Sequence, residues 1–229
     1  MTEATGELHI LKKRKVNGYE VVVYNLEHAM FHSFHFKMQA IQVLSLTLLS
    51  VLAANAQILV PGKCPKPAVQ DNFDASQYLG KWYEIQKLPT VFQKGQCSTA
   101  TYSLNGKGAS VVEVLNRELL ADGTISAIVG SARATDPSEP AKLEVSFFAN
   151  SPPGPYWVLS TDYTGHSLVF GCREFGPVHA EFAWILSREP TLAEGTLSEL
   201  HNILTSTGVN INKLTNTNQD VDYCRAMEQ

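Results

Sequence analysis

The sequence predicts an all-β protein: an eight-stranded antiparallel up-and-down β-barrel with one C-terminal α-helix packed outside it. Three observations predict this. From Gly80 onward, short apolar-alternating runs recur between turn signals. The connections between those runs are of hairpin length. A single amphipathic stretch follows the last run.

The first run is residues 81–87, and 97–104 follows and ends at Asn105-Gly106, a strong hairpin turn. Residues 110–119 end at Asp122-Gly123, and 125–134 run into Asp136-Pro137. Residues 142–148 alternate cleanly, with Leu143, Val145 and Phe147 on one face and Lys142, Glu144 and Ser146 on the other. Ser151-Pro152-Pro153-Gly154-Pro155 breaks the chain again. Residues 156–163 and 167–174 flank Thr164-Gly165-His166, and 180–188 complete the set. Thr191-Leu192-Ala193-Glu194 fits a capping box, Leu197, Leu200 and Leu204 form an apolar helical stripe, and Gly208 is a natural stop. Residues 209–215 are expected to add one more short strand. Eight strands in simple order close into a barrel with room for one small ligand. A β-sandwich needs longer crossing connections than these.

Charged residues make up 17% of the 229 and the formal net charge is −4, which excludes a basic nucleic-acid binder. A hydrophobic share of 44% excludes a mostly disordered chain. Met38, the apolar run 41–52 and the small-x-small site Ala54-Asn55-Ala56 read as a secretory signal peptide, 38–56, cleaved before Gln57. Residues 1–37 read as a non-functional N-terminal extension. Their Lys12-Lys13-Arg14-Lys15 run and their His28, His32 and His35 imitate a targeting tag and a metal site. Residues 57–229 then form one domain holding Cys64, Cys97, Cys172 and Cys224. Export makes two disulfides the default, and four cysteines allow three connectivities.

Three motifs carry a resemblance. Asn72-Phe73-Asp74 with Tyr78-Leu79-Gly80-Lys81-Trp82-Tyr83-Glu84, then Thr161-Asp162-Tyr163, then Phe182-Ala183-Trp184-Ile185-Leu186-Ser187-Arg188 resemble, in order, the three signatures of the lipocalins. The resemblance covers essentially all of 57–229 and implies roles. The tryptophan matching Trp82, after Gly80, plugs the closed end of the barrel, and the arginine matching Arg188 lies over its indole, a cation–π contact of about 1–2 kcal/mol. The family pairing carries over as Cys64–Cys172 and Cys97–Cys224. The chain departs from common family practice in having no Asn-x-Ser/Thr sequon.

If Arg188 points into the base, alternation turns Leu186, Trp184 and Phe182 inward, with Trp184 as the cavity floor. Leu143, Val145 and Phe147 line another wall, and the resemblance makes Tyr102 a pocket residue. These seven are the candidate ligand contacts.

The expected function is a secreted, extracellular carrier of a small hydrophobic ligand such as a fatty acid or sterol, with no catalytic residue, cofactor, metal or nucleic-acid partner. Two alternatives stand beside it. One is a lipid-converting enzyme of the prostaglandin isomerase type, which needs a free cavity thiol. His166 in a turn, His179 in a loop and His201 on the helix suggest no Ser-His-Asp constellation. The other is a partner protein on lipoprotein particles. The mouth is expected at residues 88–96, 119–123, 150–155 and 174–180, with Asn105-Gly106 and Thr164-Gly165 at the closed end. Leu88-Pro89-Thr90-Val91-Phe92 and Phe175-Gly176-Pro177-Val178 give that mouth an apolar rim suited to a lipoprotein or membrane surface.

Overall fold

The computed structural model describes residues 10–16, 19–24, 59–104 and 111–228. The chain divides into two units, Met1–Asn55 and Ala56–Gln229. In the first, β1 (Ile10–Val16) pairs antiparallel with β2 (Tyr19–Tyr24), Arg14 opposite Val21. The readings of 38–56 as a signal peptide, of cleavage before Gln57, and of His28, His32 and His35 lie outside the described residues.

The second unit begins with β3 (Leu59–Pro61) and a four-residue helix, α1 (Ala75–Tyr78), capped by the Asp74 carboxylate, which accepts from the Ser76 amide at 2.9 Å. The barrel strands are β4 (Gly80–Lys87), β5 (Gln96–Leu104), β6 (Val112–Leu119), β7 (Ile125–Ala134), β8 (Lys142–Ser146), β9 (Gly154–Thr161), β10 (His166–Phe175) and β11 (Val178–Ser187). Each pairs antiparallel with the next, and β11 closes on β4 with Leu186 opposite Glu84. The expected eight-stranded closed barrel is therefore what forms.

Period-two alternation sorts the walls. Trp82, Tyr102, Val114, Leu143, Val145, Val158 and Leu186 pack into one buried cluster inside the barrel. Ala183 and Ile185, the odd-numbered neighbours on β11, join a second cluster with Leu200 and Leu204 of α2 (Glu194–Ser206). Leu88, expected on the rim, is buried in this outer cluster, because its amide continues the β11 ladder to Ala183 O at 2.9 Å. The helix starts later than its sequence suggests. Its N-cap is Ala193 with no side-chain bond, and Glu194 is its first residue, so no capping box forms. The Thr191 carbonyl accepts instead from Ser187 Oγ at 3.0 Å. Gly208 ends the helix at φ +95°, where Val209 N reaches Leu204 O at 3.0 Å and Gly208 N reaches Thr205 O at 3.0 Å. That paired closure needs a left-handed residue, which glycine supplies without steric cost.

The wall has a seam. Strands β4 and β5 pair only through Gly80–Tyr83 and Thr99–Tyr102 and then part. A 3₁₀ turn (Ile211–Lys213) replaces most of the strand expected at 209–215 and delivers β12 (Thr215–Asn216) against Lys87 and Gln86. Asn210 holds that turn by accepting from the Asn212 amide. Beyond it, Gln219 Nε2 donates at 2.8 Å to the carbonyls of Glu84 and Ser98, one on each side of the gap. Both disulfides form as the family pairing implies, Cys64–Cys172 with Cα atoms 5.8 Å apart and Cys97–Cys224 with 5.5 Å. The second fastens the seam-filling tail to β5. Replacing Cys97 and Cys224 together by serine opens a 127-residue loop. The expected outcome in denaturant titration is a loss of about 4 kcal/mol of unfolding free energy.

Candidate functional site

The three sequence motifs meet in one knot at the base of the barrel. Trp82 is fully buried and the Arg188 guanidinium lies 3.7 Å from its ring centre. Arg188 spends its N–H groups on backbone carbonyls: Nε on Tyr163 at 2.9 Å, Nη1 on Lys81 at 2.9 Å and Nη2 on Gln77 at 3.2 Å. The indole Nε1 donates to Tyr78 O at 2.9 Å. Gly80 sits at φ +93°, a backbone strained for any other residue, and a Cβ there would crowd Arg188 Nη1 at 3.3 Å. The Tyr163 hydroxyl accepts from the Asp74 amide at 3.0 Å. Burial raises the Asp162 pKa, and the amides of His166 and Gly165, the His166 ring and the Thr164 amide outweigh it, leaving the carboxyl below its ordinary range.

Above this plug the floor is made of hydroxyls. Tyr78 Oη lies 2.8 Å from Ser167 Oγ and 3.0 Å from Tyr156 Oη, and Tyr156 Oη lies 2.7 Å from Tyr102 Oη. Four hydroxyls in a line share three bonds and carry four protons. One O–H is therefore left outside these three bonds. Burial pushes Tyr78 up to about 12, against the pull of Ser167, Tyr156 and Arg188, and drives Tyr102 and Tyr156 higher still. The floor is neutral at physiological pH. It leaves a cavity of about 10 Å³ among Phe73, Tyr78, Tyr102, Val112, Leu143 and Tyr156, space for about one water.

The structure brings most of the candidate contacts onto one interior surface. Tyr102, Leu143, Val145 and Leu186 are buried in the inner cluster, with Phe147 and Trp184 packed against it. Phe182 lies outside that cluster but stacks on Trp184, with centroids 6.1 Å apart and planes 10° apart. Trp184 is not the floor. It stacks on Tyr156 at 6.4 Å, and its Nε1 donates to Gln93 Oε1 at 3.1 Å, so it reaches toward the loop joining β4 to β5. Alternation gave its direction but not its height.

Polar groups missed in the sequence lie near Trp184. Glu84, Lys87 and Thr217 are buried, with Lys87 Nζ 3.0 Å and Thr217 Oγ1 2.5 Å from Glu84 Oε1. Glu84 has the parity of Trp82, a signal that was present; nothing in a loop glutamine marks Gln93. A larger recess of about 230 Å³ lies outside the barrel, among Val60, Leu88, Pro89, Glu181 and Lys213. His179, expected in a loop, is buried on β11, with Nδ1 2.9 Å from Gly62 O and Nε2 3.2 Å from Glu181. His201 meets Gln86 from α2 at 2.6 Å. Among the described residues no cysteine is free and no cluster of three metal-ligating side chains occurs.

The family model of the lipocalin-like domain matches residues 73–219. The chain belongs to the lipocalin family. This lipocalin is 52% identical over 159 residues to apolipoprotein D of Mus musculus, covering 69% of the chain and 83% of that relative. It is 33% identical over 190 residues to the Lazarillo protein of Schistocerca americana, covering 80% and 86%. Among solved structures, insecticyanin from the tobacco hornworm Manduca sexta aligns with a TM-score of 0.61 at 27% identity, covering 70% of the chain and 88% of its own. Apocrustacyanin C1 aligns at 0.65 and 22%, covering 75% and 98%, a likeness of fold.

Residues 57–229 hold six tyrosines: Tyr78, Tyr83, Tyr102, Tyr156, Tyr163 and Tyr223. Because the floor tyrosines ionise with difficulty when folded, their contribution to stability is complete below the ordinary tyrosine pKa of about 10 and is lost as pH rises toward about 12. In a near-ultraviolet alkaline titration, the absorbance of the three floor tyrosines is expected to appear only together with loss of β-sheet circular dichroism.

Proposed function

We propose that this lipocalin is a secreted carrier that holds one small hydrophobic molecule, a fatty acid, a sterol or a similar lipid, inside its barrel. The observation that carries the reading is the interior itself: apolar walls from β5, β6, β8 and β11, closed at one end by Trp82, with hydrogen-bonding groups at the hydroxyl floor and beside Gln93. Such a surface binds by apolar burial, at about 25 cal/mol per Å², and orients the ligand by few hydrogen bonds. The carrier reading is favoured over an isomerase because both pairs of cysteines are spent in disulfides, leaving no cavity thiolate. The two disulfides and the Ala54-Asn55-Ala56 site support export and a mature chain from Gln57. Among the described residues no helix is long and apolar enough to cross a membrane.

The rim supports a lipoprotein or membrane surface as the place of exchange. Val91 and Phe92 are each 64% exposed, and Phe175 is 52% exposed. Apolar side chains on loop tips around one opening suit contact with lipid. Changing Phe92→Ser with Phe175→Ser is expected to reduce flotation of the protein with phospholipid vesicles and to slow transfer of a fluorescent fatty acid from them. Unchanged flotation and transfer refute the docking role.

Two tryptophan variants separate carrying from folding. Trp184→Ala is expected to weaken fatty-acid or sterol binding by about tenfold or more with a modest loss of stability. Trp82→Ala is expected to cost about 3–5 kcal/mol of stability. Isothermal titration and thermal melts of both variants check this, and equal losses of binding and stability in the two refute it.

A further inference from the structure

We infer that Trp184 and Glu84 form a headgroup subsite, filled by the side chain of Gln93 when no ligand is there, that favours a lipid ending in a neutral carboxamide over the ionised carboxylate of the same chain. The inference rests on the carrier reading and deepens it.

Gln93 lies between the exposed tip of its loop, Val91 and Phe92, and the barrel interior. Its Oε1 accepts from Trp184 Nε1 at 3.1 Å, and its Nε2 donates to Glu84 Oε2. The two partners settle which way the amide faces. An indole N–H only donates and a carboxylate only accepts, so the carbonyl must meet Trp184 and the NH₂ must meet Glu84. The other oxygen of Glu84 is already engaged by Thr217 Oγ1 at 2.5 Å and Lys87 Nζ at 3.0 Å. Glu84 is 3% exposed, Lys87 7% and Thr217 8%, so water does not substitute freely here.

When Gln93 swings out, the half-buried indole N–H of Trp184 and the buried carboxylate of Glu84 lose a partner each. A ligand that enters must return both, because an unpaired polar group in such a site costs more than a bond gains. A primary carboxamide returns both with the atoms Gln93 used: its oxygen to Trp184, its NH₂ to Glu84. An ionised carboxylate returns only acceptors. It satisfies the indole but sets its second oxygen against Glu84 Oε2, and the Lys87 ammonium, 3.0 Å from Glu84 Oε1, balances the charge of one carboxylate and not of two. The loop backbone is held by bonds that do not involve the Gln93 side chain: Gln93 N donates to Thr90 Oγ1 at 3.1 Å and Gly95 N to Glu118 Oε2 at 2.7 Å. Side-chain rotation is enough to vacate the subsite.

The test uses protein secreted by cells expressing the full chain, titrated at neutral pH with oleamide and with oleate by displacement of a fluorescent fatty-acid probe. The wild type is expected to bind oleamide about tenfold more tightly. Gln93→Ala, which frees the subsite, is expected to tighten oleamide about fivefold or more and to leave oleate within about twofold. Glu84→Gln, which keeps the shape and removes the charge, is expected to erase the preference. A thermal melt establishes that this variant folds, and if it does not, Gln93→Ala decides alone. Equal affinities for the two lipids, or an equal change for both in Gln93→Ala, overturns the subsite and leaves the carrier reading standing. Binding of neither lipid overturns the carrier reading and the subsite with it.

Discussion

Arg188 over Trp82 is the contact on which the rest of the barrel depends. The cation–π attraction itself is worth about 1–2 kcal/mol, too little to hold a domain together. Its larger effect is positional. The guanidinium bonds to carbonyls of α1, β4 and the β9–β10 turn, so one cation after β11 ties the adjoining α1 and β4 to a turn distant from them in sequence. A lysine keeps the charge but loses the planar fork that reaches several carbonyls at once. With Arg188 and Trp82 in place, β4 and β11 are in register, the barrel is closed at one end, and the direction of every later strand follows.

Closure at the base has a consequence at the seam. Strands held together by Gly80–Tyr83 diverge above it, and the gap is filled by the tail rather than by a wider sheet. That places Thr217 next to Glu84 and makes the tail part of the inner wall. The Cys97–Cys224 bond then fastens a polar element of the cavity as well as the end of the chain. Cys97 takes φ +56° at a point where the β5–β6 register shifts, so the strand is bent where the tail attaches.

Much of this was legible in residues alone, for identifiable reasons. All eight strands were visible because hairpin turns and alternation are local signals, and the walls followed because a strand's side-chain period is two. The plug was legible through the family resemblance, which the motifs around Gly80, Trp82 and Arg188 carry and which implies their roles. Height along the barrel was not visible: parity turns Trp184 inward without saying whether it meets the floor or the loop. The helix start was misread because Thr191 and Glu194 satisfy a capping pattern that the chain does not use, with Ser187 taking the Thr191 carbonyl. The hydroxyl floor was missed because Tyr78 precedes the first run and Ser167, at the start of its own, carries no apolar side chain to mark an inward position. Gln93 was missed because a loop side chain folding inward obeys no period.

The two ends of the interior divide the work of recognition by charge. The floor is a line of neutral hydroxyls whose ionisation burial opposes, with one more O–H than the three bonds between them use. The other end holds a carboxylate, an ammonium and an indole N–H, and the protein's own glutamine bridges the first and the last of these. A floor of that kind discriminates weakly, because hydroxyls reorient to suit what arrives. A balanced charged set discriminates strongly, because each fixed donor or acceptor left without its complement raises the energy of the complex. In the carrier proposed above, selectivity therefore resides beside the loop, where the ligand's head would replace Gln93, and affinity in the apolar walls below.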